Sequence, residues 1–204
     1  MKISLGKKAV LFIILILILD QVLKIWIKTH MVIGQEIPIF GKYGMIHFIE
    51  NNGMAFGFEM GGRPGKLILS IFRILAISAI GWYLSVLIKK GAGLGLVLAV
   101  GAIMAGAIGN IIDSAFYGMI FSESFNHPAV LFPPGGGYSS FLHGKVVDMF
   151  YFPVINTHWP EWSPIKPGQS LIFFRPVFNL SDTAITCGVF SILLFQKKMF
   201  KGIS

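Results

Sequence analysis

The 204-residue chain is strongly apolar, with 54% hydrophobic residues, 13% charged residues and a mean hydropathy of +0.74. An ordinary soluble domain has roughly 25% charged residues, so this composition excludes an ordinary soluble domain and favours a membrane protein. The net charge of +8 would suggest nucleic-acid binding in a soluble protein, but here it reflects membrane topology and contact with anionic lipid headgroups.

Four apolar segments of about 20 residues are each long enough to cross a bilayer as a helix. We predict helices at about 9–27, 67–88, 92–114 and 176–195, and outer connectors at about 28–66 and 118–175. The first segment carries Asp20 and Gln21 where a signal peptide would have small residues at its cleavage site, so we expect a retained helix. The predicted fold class is a membrane all-α protein with a small β element, forming a single integral membrane domain over residues 1–204.

Lysines predict the orientation of these helices. They cluster in three regions that contain no acidic residue, namely Lys2, Lys7 and Lys8; Lys89 and Lys90; and Lys197, Lys198 and Lys201. The positive-inside rule therefore places both termini and the connector at 89–90 in the cytoplasm. The two longer connectors then face outward.

The outer connectors contain features that are not typical of simple linkers. Residues 45–49 form an apolar, strand-like run that ends in a turn at Asn51, Asn52 and Gly53, which predicts a strand-rich element on the membrane surface. Residues 121–142 are rich in Pro, Gly, Ser and His, and we expect a mobile flap or a surface insertion there. Residues 151–175 are rich in aromatic residues and proline, which suits an interfacial belt.

Four aspartates lie within or beside apolar stretches, where a charge is costly and usually marks function: Asp20, Asp113, Asp148 and Asp182. Two of them follow an asparagine at the same spacing, in the pairs Asn110–Asp113 and Asn179–Asp182. Residues at i and i+3 share a helix face, so each pair forms one polar face. The predicted topology brings all four aspartates to the outer boundary of the membrane.

Small residues recur at four-residue spacing in the third segment, at Gly101, Ala105 and Gly109, and again at Ala102 and Gly106. This pattern predicts close packing against another helix.

Other catalytic chemistries find little support in the sequence. Cys187 is the single cysteine, which excludes an internal disulfide and a cysteine metal cluster; we expect it to be a small buried hydrophobic residue. The five histidines are scattered without ligand spacing, and neither a P-loop nor a serine-hydrolase elbow is present. Carboxylates therefore remain as the candidate catalytic groups, and we expect no metal and no organic cofactor.

Five short blocks, in order along the chain, resemble the lipoprotein signal peptidase family, the type II signal peptidases of bacteria. They are Asp20-Gln21-Val22-Leu23-Lys24, Asn51-Asn52-Gly53-Met54-Ala55-Phe56, Gly109-Asn110-Ile111-Ile112-Asp113, Val146-Val147-Asp148 and Phe178-Asn179-Leu180-Ser181-Asp182. Each block alone is weak, but five in order on the predicted topology are specific. The four-helix fold of that family, with both termini in the cytoplasm, agrees with the lysine argument.

The resemblance implies an aspartic endopeptidase that removes the signal peptide from diacylglyceryl-modified prolipoproteins, cutting before the lipidated cysteine. It maps the catalytic dyad to Asp148 and Asp182. The residues that would bind substrate or support the site are Asp20, Lys24, Asn51, Gly53, Ala55, Phe56, Asn110, Asp113 and Asn179. For Asp20 and Lys24, structural clamping and direct substrate contact both remain open, and for Asp113 a structural role is favoured.

The same resemblance implies a multi-pass protein of the bacterial cytoplasmic (inner) membrane with its active site at the outer, periplasmic face. The implied partners are lipid-modified prolipoproteins and membrane lipids, with no nucleic acid, and we expect a monomer. Two alternatives stay open on the residues alone. Intramembrane acids paired with Asn and Lys would also fit a small transporter, and a non-catalytic assembly factor would need no particular carboxylate.

This sequence departs from the family pattern in three ways. Ser114 stands where the family commonly has arginine, and we expect Arg175 or Lys145 to compensate. Ser181 replaces the usual alanine and would add a hydroxyl near the dyad. The spacings from Asp113 to Asp148 and from Asp148 to Asp182 are longer than is typical, and loop length of this kind is tolerated.

Overall fold

The computed structural model describes residues 3–41, 43–53, 62–153, 155–158, 160–164, 166–173 and 176–200. Ala55 and Phe56, which were predicted to cover the substrate, lie outside the described residues, as do Trp159 and Arg175.

Long helices make up most of the described chain. They are α1 (Leu5–His30), α2 (Gly62–Lys89), α3 (Leu94–Ile112) and α5 (Leu180–Met199), with α3 continuing through a π-helical turn (Asp113–Tyr117) into the short α4 (Gly118–Ile120). The four helices predicted from hydropathy are therefore present. The last one begins at Leu180 and not near residue 176, because the residues before it are drawn into a sheet.

Within the described residues, three helical stretches are long and apolar enough to cross a membrane: Leu5–His30, Pro64–Lys89 and Leu94–Ile120. Helix α5 does not meet the same standard of length and hydropathy. Large apolar side chains on α1 and α2 are exposed, among them Ile18, Ile68 and Phe72, and such outward-facing surfaces suit contact with lipid.

Helix α3 is the centre of the helical bundle, because it packs against α1, α2 and α5. The predicted close packing of its small residues is confirmed at two positions. A Cβ atom added to Gly106 would lie 2.2 Å from the carbonyl oxygen of Ser181, and one added to Gly109 would lie 2.1 Å from the Ser181 hydroxyl. Glycine at these positions therefore lets α5 approach close enough to share polar groups with α3.

Outside the bundle, strands from both outer connectors form an antiparallel four-stranded sheet. Its strands are β1 (Glu36–Pro38), β2 (Met45–Asn51), β3 (Val146–Tyr151) and β6 (Val177–Phe178), in that spatial order. A separate hairpin pairs β4 (Ile155–His158) with β5 (Ser170–Phe173). The predicted strand-rich element is confirmed, and it also recruits strands from the second outer connector.

The register of this sheet determines where the polar residues meet. Ile49 pairs with Asp148 and Asn51 with Val146, so the end of β2 lies beside the start of β3. Strand β6 pairs with the other edge of β3 and leads directly into α5. Strand β3 therefore joins the first outer connector to the beginning of the last helix.

The segment 121–145, which includes the predicted flap or surface insertion at 121–142, packs against the fold at several points while many of its side chains are exposed; its mobility stays a prediction. Phe121 and Ser124 are fully buried, and the backbone N–H of Ala129 donates to the carbonyl of Lys28 over 2.8 Å. A Cβ atom on Gly144 would lie 2.2 Å from the carbonyl oxygen of Asp113. Glycine at position 144 therefore permits close approach to the end of α3.

Candidate active site

Asp182 is held in place by the cap of the helix that carries it. Asn179 is the N-cap of α5, and its side-chain oxygen accepts a hydrogen bond from the Asp182 backbone N–H over 2.9 Å. The Asp182 carboxylate in turn accepts from the Asn179 backbone N–H over 3.3 Å. This reciprocal pair is a capping box, which satisfies two N–H groups at the start of a helix and fixes the Asp182 side chain.

Asparagine amides connect the two aspartates that the family resemblance selects. The Nδ2 of Asn179 donates to Oδ1 of Asp148 over 2.7 Å, and the Nδ2 of Asn51 donates to Oδ2 of Asp148 over 3.2 Å. The Nδ2 of Asn110 donates to Oδ1 of Asp182 over 2.8 Å, and its Oδ1 accepts from Asn179 over 3.1 Å. The structure thus brings the two Asn–Asp faces together with Asp148 in one site.

Asp148 and Asp182 differ in their environments. Asp148 is 2% exposed, whereas Asp182 is only partly buried. Burial, and after it the charge of Asp182, raise the pKa of the Asp148 carboxyl to about 7, against the opposing effects of Asn51, Lys24 and Asn179. A carboxyl of this kind can hold a proton near neutral pH beside an ionised neighbour.

Beneath the two aspartates lies a fully buried ionic cluster. Lys24 pairs with Asp20 over 2.9 Å and with Asp113 over 2.8 Å, and it donates to Oδ1 of Asn110 over 2.9 Å. Asp20 accepts from the backbone N–H of Ser181 over 2.9 Å, so the cluster also ties α1 to the start of α5. Asp20, Lys24 and Asp113 have zero side-chain exposure, which favours the structural role predicted for Asp113.

Two further residues of this cluster were not singled out from the sequence. Gln21 donates to Asp113 over 3.0 Å and to Asp20 over 3.2 Å, and the Tyr117 hydroxyl donates to the Gln21 side-chain oxygen over 3.1 Å. Gln21 was visible as part of the first family block, but no sequence signal pointed to Tyr117.

Arg73 is a further candidate for a functional residue, and it lies outside the five family blocks. It donates through Nη2 to the carbonyl oxygen of Gly53, and its charge interacts with Asp113, Asp148 and Asp182. The available signal was its position as the single charge within the apolar stretch 67–88.

Two serines depart from the family pattern near the site, at positions 114 and 181, and the structure shows their contacts. The expectation that Lys145 compensates for Ser114 is wrong, because Lys145 pairs with Glu50 over 3.2 Å. The Ser114 hydroxyl donates to the Asn110 carbonyl over 3.1 Å. The Ser181 hydroxyl is fully buried and, among the described residues, has no hydrogen-bond partner, so it does not bond to either aspartate of the candidate dyad.

A second polar cluster holds the outer parts together away from the dyad. Lys28 pairs with Glu50 and donates to Ser124 over 3.0 Å, and its ammonium group lies 4.9 Å from the centre of the Tyr138 ring. This cluster joins α1, β2 and the segment 121–145. Over the part of the chain that the structure describes, no group of three or more His, Cys, Asp or Glu side chains is arranged to hold a metal ion.

Comparisons with known proteins agree on one family. The family model described as signal peptidase (SPase) II matches residues 12–198. A lipoprotein signal peptidase of Porphyromonas gingivalis (strain ATCC 33277) is 48% identical over 190 residues, covering 93% of this chain and 82% of that protein. A lipoprotein signal peptidase of Amoebophilus asiaticus is 36% identical over 187 residues, covering 90% of this chain and 75% of that protein.

The fold is also shared with a solved structure. A bacterial membrane enzyme determined by the in meso method at 1.9 Å resolution matches with a TM-score of 0.61 and 24% identity, over 94% of this chain and 93% of that chain. This likeness shows the fold, while the family model and the curated relatives show the family. The chain belongs to the signal peptidase II family.

Proposed function

We propose that this protein is a membrane aspartic endopeptidase that removes the signal peptide from diacylglyceryl-modified prolipoproteins, cutting just before the lipidated cysteine. Membership in the signal peptidase II family supports cleavage of prolipoprotein signal peptides. The observation that carries the aspartic mechanism is the pair of amide bridges, from Asn179 to Asp148 and from Asn110 to Asp182, that hold two carboxylates in one site.

The different environments of the two carboxylates assign their roles. Asp182 lies in the first turn of α5, where the helix dipole and hydrogen bonds from Asn110 and from the Asn179 backbone stabilise negative charge. Asp148 is more deeply buried, and its pKa is raised to about 7. The raised pKa lets Asp148 hold a proton near neutral pH, so we assign it the role of the acid and Asp182 the role of the base.

Peptide hydrolysis follows from this distribution of charge. Asp182 removes a proton from a water molecule as the water oxygen attacks the scissile carbonyl carbon, and protonated Asp148 donates to the carbonyl oxygen. The tetrahedral intermediate then collapses: the proton on Asp182 passes to the leaving nitrogen, the carbon–nitrogen bond breaks, and a hydroxyl proton of the intermediate returns to Asp148 as the carbonyl reforms. Asn51, Asn110 and Asn179 keep the two carboxylates in position through both steps.

The membrane arrangement suits this substrate. Four spanning helices with both termini in the cytoplasm are supported by the three apolar stretches and by the lysine distribution. Asp182 then lies at the outer end of α5, close to the sheet that carries Asp148. A site at that boundary lets the acyl chains of the substrate remain in lipid while the scissile bond meets water.

Family membership favours the peptidase over the transporter and assembly-factor alternatives, and one experiment separates all three. Purified protein in detergent is incubated with a diacylglyceryl-modified precursor, and the products are analysed by mass spectrometry. The expected product begins at the lipidated cysteine, and the matched precursor without the lipid should be cut far more slowly. Absence of cleavage by well-folded protein, or a cut elsewhere, would contradict the proposal.

A further inference from the structure

Arg73 lies in a position where a charge is expensive. It is a partly buried residue of α2, within the apolar stretch Pro64–Lys89 that is long enough to span a membrane. A charged side chain at membrane depth costs roughly 2.5–3.5 kcal/mol on insertion scales, and such residues usually pair or serve a function. Among the described residues, Arg73 has no carboxylate within ion-pair distance, so its position requires another explanation.

A chain of hydrogen bonds leads from Arg73 to the candidate dyad. Arg73 donates to the Gly53 carbonyl; the Gly53 N–H donates to Oδ1 of Asn51 over 2.9 Å; and Nδ2 of Asn51 donates to Oδ2 of Asp148 over 3.2 Å. The guanidinium group thus secures the turn whose amide contacts Asp148.

The backbone at Gly53 is shaped to receive this guanidinium group. Gly53 has a φ of +89°, which L side chains rarely adopt, and a Cβ atom there would lie 2.7 Å from Nη1 of Arg73. Two turns before Arg73 on α2, Lys66 donates to Oδ1 of Asn52 over 3.2 Å. Helix α2 therefore holds the turn at 51–53 at two points.

The charges around the dyad also give Arg73 an electrostatic role. The charged groups around the dyad are Asp20 and Lys24 from α1, Asp113 from the end of α3, and Arg73 from α2. One lysine between two aspartates leaves a net negative charge beside a dyad that is itself negative. Arg73, from α2, is a further cation whose charge interacts with both Asp148 and Asp182.

We propose that Arg73 is a positioning residue of the peptidase site: it holds the turn at 51–53 so that Asn51 stays on Asp148, and its charge offsets the negative charge around the dyad. This inference rests on the proposed function. It assigns Arg73 no contact with the reacting atoms, and it explains why α2 carries a charge at this depth.

The experiment measures kcat, KM and the pH profile of precursor cleavage for Arg73→Gln and Arg73→Lys in detergent. Arg73→Gln should lower kcat roughly 10- to 100-fold, as expected for loss of a charge-assisted hydrogen bond, with little change in KM. Both limbs of its pH profile should move upward by roughly one unit, because a lost cation raises the pKa values of nearby carboxyls. Arg73→Lys should keep the wild-type profile with a smaller loss of kcat.

Lys89→Gln is the matched control, since it removes an exposed cation from the far end of the same helix and should leave all three quantities unchanged. Wild-type kcat and pH profile in Arg73→Gln would overturn the inference. If Arg73→Gln does not fold, wild-type kcat in Arg73→Lys would overturn it. Failure of the wild-type protein to cleave would instead count against the proposed function, so the two outcomes are distinguishable.

Discussion

The side-chain amide of Asn179 donates to the carboxylate of Asp148 over 2.7 Å, although the two residues are 31 positions apart in the chain. The same asparagine is the N-cap of the helix that carries Asp182. One residue therefore sets the position of both carboxylates relative to each other. Asn179 thereby brings strand β3, from the second outer connector, and the start of helix α5 into one site.

Asn179→Ala should accordingly damage activity and stability together. Loss of the cap should lower the free energy of unfolding by about 1–2 kcal/mol, and the dyad should lose its shared donor. Cleavage rate and thermal midpoint in detergent measure the two effects. Asn126→Ala, at an exposed position in the segment 121–145, is the matched control and should change neither. Wild-type cleavage by Asn179→Ala would contradict the positioning role.

Stability should depend on pH through Asp148. Because burial raises the pKa of this carboxyl to about 7, the folded protein keeps a proton that the unfolded chain, with a pKa near 3.9, has released. Between about pH 4 and pH 7, the contribution of Asp148 to the free energy of unfolding should therefore fall as pH rises. Asp148→Asn should gain thermal midpoint relative to wild type at pH 8 and gain little at pH 4. An equal difference at both pH values would contradict the raised pKa.

The activity of the dyad should follow a bell-shaped pH profile, since hydrolysis needs one protonated carboxyl and one ionised carboxylate. Initial rates on a lipidated precursor, with folding checked at each pH, measure this profile. A single rise near pH 6.5 that disappears on replacing one histidine would identify a histidine base. His47 contacts Glu36 through Nδ1, and His143 contacts the carbonyl of Phe141, so His47→Gln and His143→Gln are the variants that test this alternative.

The segment 121–145 should contribute to stability more than to substrate access. Phe121 is fully buried against Tyr117, with ring centres 4.9 Å apart. Phe121→Ala should therefore lower the free energy of unfolding by about 3–5 kcal/mol. Phe132→Ala removes a side chain that is 71% exposed in the same segment and serves as the control. A small change in thermal midpoint for Phe121→Ala, with altered KM, would support the flap that the composition had suggested.

Cys187 should be dispensable. It is exposed on α5, which corrects the expectation of a buried residue, and it lies five positions beyond Asp182. Cys187→Ser should retain most activity, and thiol alkylation should not inhibit the wild-type protein. Stoichiometric inhibition that the serine variant escapes would indicate a role for the thiol.

Hydropathy predicted the helices, and the family blocks contain most residues of the candidate site. The features that were missed depend on contacts between residues far apart in the chain. The start of α5 was misplaced because Val177 and Phe178 pair with β3, a contact that no local pattern encodes. The packing of the segment 121–145 could not be predicted from its composition, because a glycine-rich sequence does not show that Gly137 and Gly144 lie against the backbone of residues 113–119. Arg73 was overlooked because its hydrogen-bond partner is the backbone carbonyl of Gly53, in the connector that precedes α2, and a backbone carbonyl gives no sequence signal.

The central claim is that Asp148 and Asp182 carry out peptide hydrolysis, and cleavage of a diacylglyceryl-modified precursor by single Asp→Asn variants tests it most directly. Asp148→Asn and Asp182→Asn keep the side-chain volume and should each lower the cleavage rate by roughly 100- to 10,000-fold while the protein remains folded. Glu161→Gln removes an exposed carboxylate outside the site and should cleave at the wild-type rate. Cleavage at the wild-type rate by either purified aspartate variant would contradict the aspartic mechanism.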